Sequence, residues 1–71
     1  MSEEQDLAER WGFHLRGLMP GEEYPYEHIR GHYRVPMFNA GLLETASERP
    51  LTFRLTQLGI AVRDVPAPPN P

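Results

Sequence analysis

Gly41-Leu42-Leu43-Glu44-Thr45-Ala46-Ser47-Glu48-Arg49-Pro50-Leu51-Thr52-Phe53-Arg54-Leu55-Thr56-Gln57-Leu58-Gly59 is the most ordered pattern in this 71-residue sequence. Leu51, Phe53 and Leu55 alternate with Thr52, Arg54 and Thr56, the period-two signature of a strand with one buried face. Ser47-Glu48-Arg49-Pro50 is a polar turn, and Glu44-Thr45-Ala46 before it supplies a partner strand, so the stretch reads as a β-hairpin. Thr56 is placed to cap a last short helix bearing Leu58, Ile60 and Val62.

Upstream of the hairpin the pattern is helical. Leu7, Trp11, Leu15 and Leu18 recur at helical spacing and predict a helix over 3–16. Ser2 with Gln5 makes a capping box, acids crowd the first turn, and Arg16 and Gly17 suit the far end. Met19-Pro20-Gly21 is a turn. Pro25 is suited to the first position of a second short helix with Tyr26, Ile29 and Tyr33 on one side, weakened by Gly31. Pro36 starts a third short helix carrying Phe38 and Leu42. The expectation is one α+β domain over 1–64, about three short helices plus a C-terminal hairpin. Residues 65–71, Val65-Pro66-Ala67-Pro68-Pro69-Asn70-Pro71, read as a disordered, Pro-rich tail.

Composition narrows the function. There is no cysteine, which removes thiolate nucleophiles, disulfides and cysteine-ligated metals. All seven basic side chains are Arg, so no lysine exists to serve a phosphate-binding Walker loop. No stretch approaches the ~18 apolar residues of a membrane span, and an acidic, polar start is not a secretory signal. A cytoplasmic protein is expected. The hydroxyls Ser2, Ser47, Thr45, Thr52 and Thr56 all have cap, turn or strand roles, and no nucleophile elbow or Gly-rich phosphate loop is present. The expectation is a non-enzymatic protein without a cofactor.

Charge is divided along the chain. Residues 1–27 carry seven acids against Arg10 and Arg16, a net of −5; residues 28–63 carry five arginines against Glu44 and Glu48, a net of +3. Glu3, Glu4, Asp6 and Glu9 form a candidate acidic patch for a basic protein surface, besides stabilising the helix dipole. Arg30, Arg34, Arg49 and Arg54, with His28 and His32, form the basic cluster and suit either phosphates or an acidic partner. His28 and His32 are four apart and would share a helix face, but the position after His28 is Ile29, where a zinc-protease motif has Glu. Of the seven aromatics most must be core. Tyr24 and Tyr26 straddle Pro25, so one of them is expected to stay exposed near Arg30 as an interface anchor.

The hairpin and its flanks resemble the winged helix-turn-helix family. There the recognition helix ends on a small residue, Gly and two aliphatics, as at Gly41-Leu42-Leu43. The wing returns as an aromatic, a basic residue, Leu-Thr, two residues and Gly, as at Phe53-Arg54-Leu55-Thr56-Gln57-Leu58-Gly59. The resemblance covers about residues 24–64 and implies three helices plus a two- or three-stranded wing, with the third helix in the DNA major groove. Gly41 to Leu43 would then end the recognition helix and Ser47 to Pro50 would be the wing tip. The sequence departs from the family between Pro36 and Gly41, where only one or two helical turns fit. That segment has no basic residue, and only Asn39 is suited to reading a base edge. The chain is also acidic overall. Two functions follow. One is a transcription regulator acting by protein contact, by class analogy with small phage-encoded proteins that bind host RNA polymerase. The other is a DNA-binding repressor or excision-type factor using Arg30, Arg34, Asn39, Arg49 and Arg54.

Overall fold

The computed structural model describes residues 3–66. In chain order it comprises helix α1 (Glu3–Leu15), strand β1 (Tyr24–Pro25), a 3-10 turn (Tyr26–His28), helix α2 (Gly31–Asn39), strands β2 (Leu43–Glu48) and β3 (Leu51–Leu55), and helix α3 (Gln57–Arg63). The architecture is α+β: three helices and one antiparallel sheet of order β1–β3–β2. No helix among the described residues is long and apolar enough to cross a membrane. The expected Ser2 cap and the tail beyond Pro66 lie outside the described residues.

The first helix forms where its leucines predict. Leu15 and Leu18 are fully buried, and Leu7, Ala8 and Trp11 pack on the core from the same side. Its end differs from the expected left-handed glycine cap. Gly17 does not have a positive φ, and the chain instead tightens so that the Leu18 N–H donates to the Leu15 carbonyl at 3.0 Å. The left-handed glycine comes later, at Gly21 (φ 83°), where Pro20-Gly21 turns the chain and Glu22 N–H donates to the Met19 carbonyl at 3.2 Å.

The middle of the chain departs most from expectation. Tyr24-Pro25 does not open a helix. It is a short edge strand paired with Phe53 and Thr52 of β3, an edge being where a proline without an N–H is tolerated. One 3-10 turn follows, and then Ile29 (φ −124°, ψ 131°) and Arg30 (φ −58°, ψ 146°) are extended and break the helix. Gly31, expected to weaken a helix, begins α2, and Pro36, expected to start one, lies inside it. Helix α2 is therefore nine residues long, longer than the one or two turns that fit after Pro36. Pro36 has no N–H, so the helical bond from position 36 to His32 is forfeited, while bonds at both ends of the helix are made: Arg34 N–H to Arg30 at 2.8 Å and Ala40 N–H to Pro36 at 2.9 Å.

Helix α2 ends on a Schellman motif. Gly41 N–H donates to the Phe38 carbonyl at 3.0 Å and Leu42 N–H to the Met37 carbonyl at 2.9 Å, with Gly41 at φ 79°. The accompanying apolar contact is supplied by Leu42 and Met37, both fully buried. The hairpin follows as predicted, with Leu43 opposite Leu55, Glu44 opposite Arg54 and Thr45 opposite Phe53. A register shift between Thr45 and Ser47 leaves Ala46 as an extra residue. Arg49 and Pro50, joined by a cis peptide, make the connection. Phe53 and Leu55 point into the core, whereas Leu51, at the hairpin tip, is outside it.

Thr56 caps α3 as expected, accepting from Gly59 N–H at 2.9 Å while its hydroxyl donates to the Gly41 carbonyl at 2.5 Å. Arg63 Nε donates to the Leu18 carbonyl at 2.7 Å, tying the end of α3 to the chain leaving α1. Phe53 is the hub of the core: the Tyr24, Tyr26 and Phe38 rings all lie within 6.4 Å of its own.

Candidate partner-binding surface

Arg34 sits over a chain reversal. Its Nη1 donates to the carbonyls of Tyr26 (2.6 Å) and Ile29 (3.0 Å), and its guanidinium carbon stands 4.9 Å from the Tyr26 ring centroid. The 3-10 turn and the extended pair after it expose carbonyls that no helix hydrogen-bonds, and a guanidinium with several donors satisfies two at once. Arg34 thus holds the turn to α2. Its cation is directed into the fold. Arg54, exposed on β3, pairs with Glu44 across the hairpin through Nη2 at 2.9 Å and Nε at 3.1 Å.

The remaining cations of the expected basic cluster are separate. Arg30 precedes α2 and Arg49 is at the hairpin tip; both are exposed, and neither side chain makes a hydrogen bond or ion pair among the described residues. Positions 32, 35 and 39 fall on one side of α2 by their three- and four-residue spacing. All three are exposed: His32, Val35 (53%) and Asn39. The outward face of the helix is therefore an imidazole, an isopropyl group and an amide. Leu51 at the hairpin tip is 46% exposed.

His28 and His32 do not share a helix face as their spacing suggested. His28 lies on the 3-10 turn with its ring tilted against Tyr24 at 4.8 Å between centroids, while His32 lies on α2 with its ring tilted against Tyr33 at 4.1 Å. The break at Ile29 and Arg30 separates them. Neither Tyr24 nor Tyr26 is the exposed anchor expected of one of them. Both are half-buried; Tyr24 Oη accepts from Met19 N–H at 2.7 Å, and Tyr26 Oη shares a 2.6 Å hydrogen bond with Thr45 Oγ1. The exposed tyrosine is Tyr33, whose ring is 4.7 Å from His14 and bridges α2 to the end of α1.

All four acids of the expected patch are exposed on α1. Helical rotation places Glu3, Asp6 and Glu9 down one side and turns Glu4 about 100° away from Glu3. Phe13, 83% exposed, is on the outward side too, opposite the leucines. Sequence reasoning missed it, because an aromatic residue near a helical apolar face is by default read as core. Its signal was its phase: Phe13 is two residues after Trp11 and two before Leu15, about half a turn off that face. Val35 was missed because the helix around it was placed too late.

Compared with protein-family models, with curated proteins and with solved structures, the chain matches none.

Proposed function

We propose that this chain is a winged-helix-like, non-enzymatic binding domain that acts by protein contact through the outward face of α2 and the hairpin tip. The order 3-10 turn, α2, β2, β3 supports this reading, with α2 in the recognition-helix place and β2–β3 as the wing; a 3-10 turn stands where the family has its second helix, and α3 follows the wing. Glycine is used at Gly41 and Gly59 where the family motifs have it. The observation that carries protein contact is the chemistry of that face. Arg34 is held by Tyr26 and Ile29, Arg54 is paired with Glu44, and His32, Val35 and Asn39 look outward. Binding to a nucleic-acid backbone takes several convergent cations. An isopropyl group, an imidazole and an amide, flanked by Arg30 and by Leu51 and Arg49 at the wing, suit the mixed apolar and arginine chemistry of a protein interface. In this reading the transcription apparatus, RNA polymerase or an associated factor, is the partner class, by the analogy of size and acidity. Glu3 and Glu4, at the exposed start of α1, steer a basic partner surface and act on the association rate.

The alternative, a DNA-binding factor, is favoured by the exposure of Arg30 just before α2, Asn39 on it and Arg49 at the hairpin tip. One experiment separates the two. The tagged chain is used to capture proteins from bacterial lysate, with and without nuclease, beside a Val35→Asp variant. Protein contact predicts that the large RNA polymerase subunits are recovered in both nuclease arms and lost with Val35→Asp. Recovery of DNA alone, or loss of polymerase after nuclease, would establish the DNA reading. In that case Arg30→Ala and Arg49→Ala should weaken binding uniformly across sequences and flatten its salt dependence.

A further inference from the structure

Met19 and Met37 sit in opposite surroundings. Met37 is fully buried in the core, whereas Met19, in the turn after α1, is 56% exposed. Met19 nevertheless has a fixed place. Its N–H donates to Tyr24 Oη at 2.7 Å and its carbonyl accepts from Glu22 N–H at 3.2 Å, so its backbone is held on both sides. Its sulfur faces Arg63. Nη2 of that guanidinium stands 3.9 Å from Sδ, while Nε donates to the Leu18 carbonyl at 2.7 Å and Nη1 to Asp64 Oδ1 at 3.2 Å. A thioether is a weak acceptor. Nη2 is thus the one nitrogen of the three that meets no oxygen among the described residues.

We propose that Met19 is an oxidation site whose product Arg63 holds, so that peroxide tightens the join between α3 and the chain leaving α1. A lone pair on sulfur attacks one peroxide oxygen. The S–O bond forms as the O–O bond breaks, and the second oxygen leaves as hydroxide, which takes up a proton to become water. The sulfur loses two electrons and the peroxide gains them. The sulfoxide is polar and chiral, and inside a core that change is disruptive. At Met19 the side chain is already largely in solvent, so little burial is lost. The epimer that aims its oxygen at Arg63 brings an acceptor one bond length nearer to Nη2, into the range of about 2.7–3.2 Å for an N–H···O bond. That bond has a charged donor, which makes it stronger than a neutral one. The guanidinium is already fixed by Leu18 and Asp64, so ordering it costs little. Met37 has neither solvent access nor a cation beside it. The site uses no residue of the α2 face or the hairpin tip, and so stands or falls independently of what they bind.

The test treats the folded full chain with dilute hydrogen peroxide. Cleavage after arginine puts Met1, Met19 and Met37 on three separate peptides, so mass spectrometry reads the oxygen taken up at each. Met19 should be oxidised at least tenfold faster than Met37, and the difference should vanish in concentrated urea. Urea unfolding followed by Trp11 fluorescence reads the consequence. Peroxide should raise the folding equilibrium constant of the natural chain about threefold or more. It should leave Met19→Leu unchanged and give no gain in Arg63→Ala. A second comparison does not need Arg63→Ala to fold: Met19→Gln, whose amide oxygen takes the place of the sulfoxide oxygen, should be at least as stable as Met19→Leu. The proposal is overturned if Met37 is oxidised as fast as Met19 in the folded chain, or if peroxide brings the natural chain no gain in stability. An equal gain in Met19→Leu or Arg63→Ala overturns it too, as does a Met19→Gln chain less stable than Met19→Leu.

Discussion

A Cβ on Gly59 would lie 2.1 Å from the Leu42 carbonyl oxygen and 3.2 Å from a Leu55 methyl. The first obstacle is backbone, which cannot rotate away as a side-chain end can. It arises because α3 crosses the chain where it leaves α2, and Thr56 N–H and hydroxyl fix that crossing by donating to the Leu42 and Gly41 carbonyls. Gly59→Ala must therefore lift α3 off the core, and is expected to destabilise the fold by about 2 kcal/mol or more. Urea unfolding followed by Trp11 fluorescence measures this, and a change below about 0.5 kcal/mol would contradict the geometry. Arg34 is the second residue whose role is geometric. Arg34→Lys keeps the charge but ends one bond short of Nη1 and lacks the planar group over Tyr26, so it should lose one of the two carbonyl contacts and the contact with the Tyr26 ring. A cost of about 1 kcal/mol is expected in the same experiment. If Lys matched Arg, charge alone would suffice at this position.

At the scale of elements, what could be read from the sequence followed what local pattern controls. The hairpin and α3 were legible because alternation at Leu51, Phe53 and Leu55 and the Thr56 cap are complete within a few residues. The middle was not, because Tyr24 and Pro25 become a strand only through pairing with Phe53 and Thr52, nearly 30 residues away. Pro36 lies inside α2 only because the apolar contacts of Met37, Phe38 and Ile29 outweigh one lost hydrogen bond. The basic cluster failed for a related reason: the sequence shows that Arg34 is charged, but the carbonyls of Tyr26 and Ile29 are offered to it only by the folded turn. The misplaced proline gives a prediction for α2. Pro36→Ala restores the bond to His32 and removes the ring from the helix interior, gains that exceed the extra freedom returned to the unfolded chain. It should stabilise the protein by about 1 kcal/mol, seen as a higher urea midpoint with unchanged slope. A lower midpoint would mean that the half-buried ring packs better than an alanine methyl can.

For the molecule as a whole, the core is small: nine buried apolar side chains with no buried polar or charged residue among those described. A chain of this length has about 4–10 kcal/mol of stability, without disulfide support. The hairpin ion pair adds little, since Arg54 and Glu44 are each more than two-fifths exposed. Stability therefore depends on how well a few rings pack, and two phenylalanines give the contrast. Phe53 is fully buried at the centre of the sheet among Tyr24, Tyr26 and Phe38; Phe13 is almost fully exposed. Phe53→Ala should cost about 3–5 kcal/mol, from about a third to all of that stability, and clearly lower the thermal midpoint read by circular dichroism. Phe13→Ala should move stability by less than about 0.5 kcal/mol. One ring maintains the fold and the other does not. Equal stability losses for the two substitutions would mean that Phe13 is packed in solution, and the outward face of α1 would then be part of the fold itself.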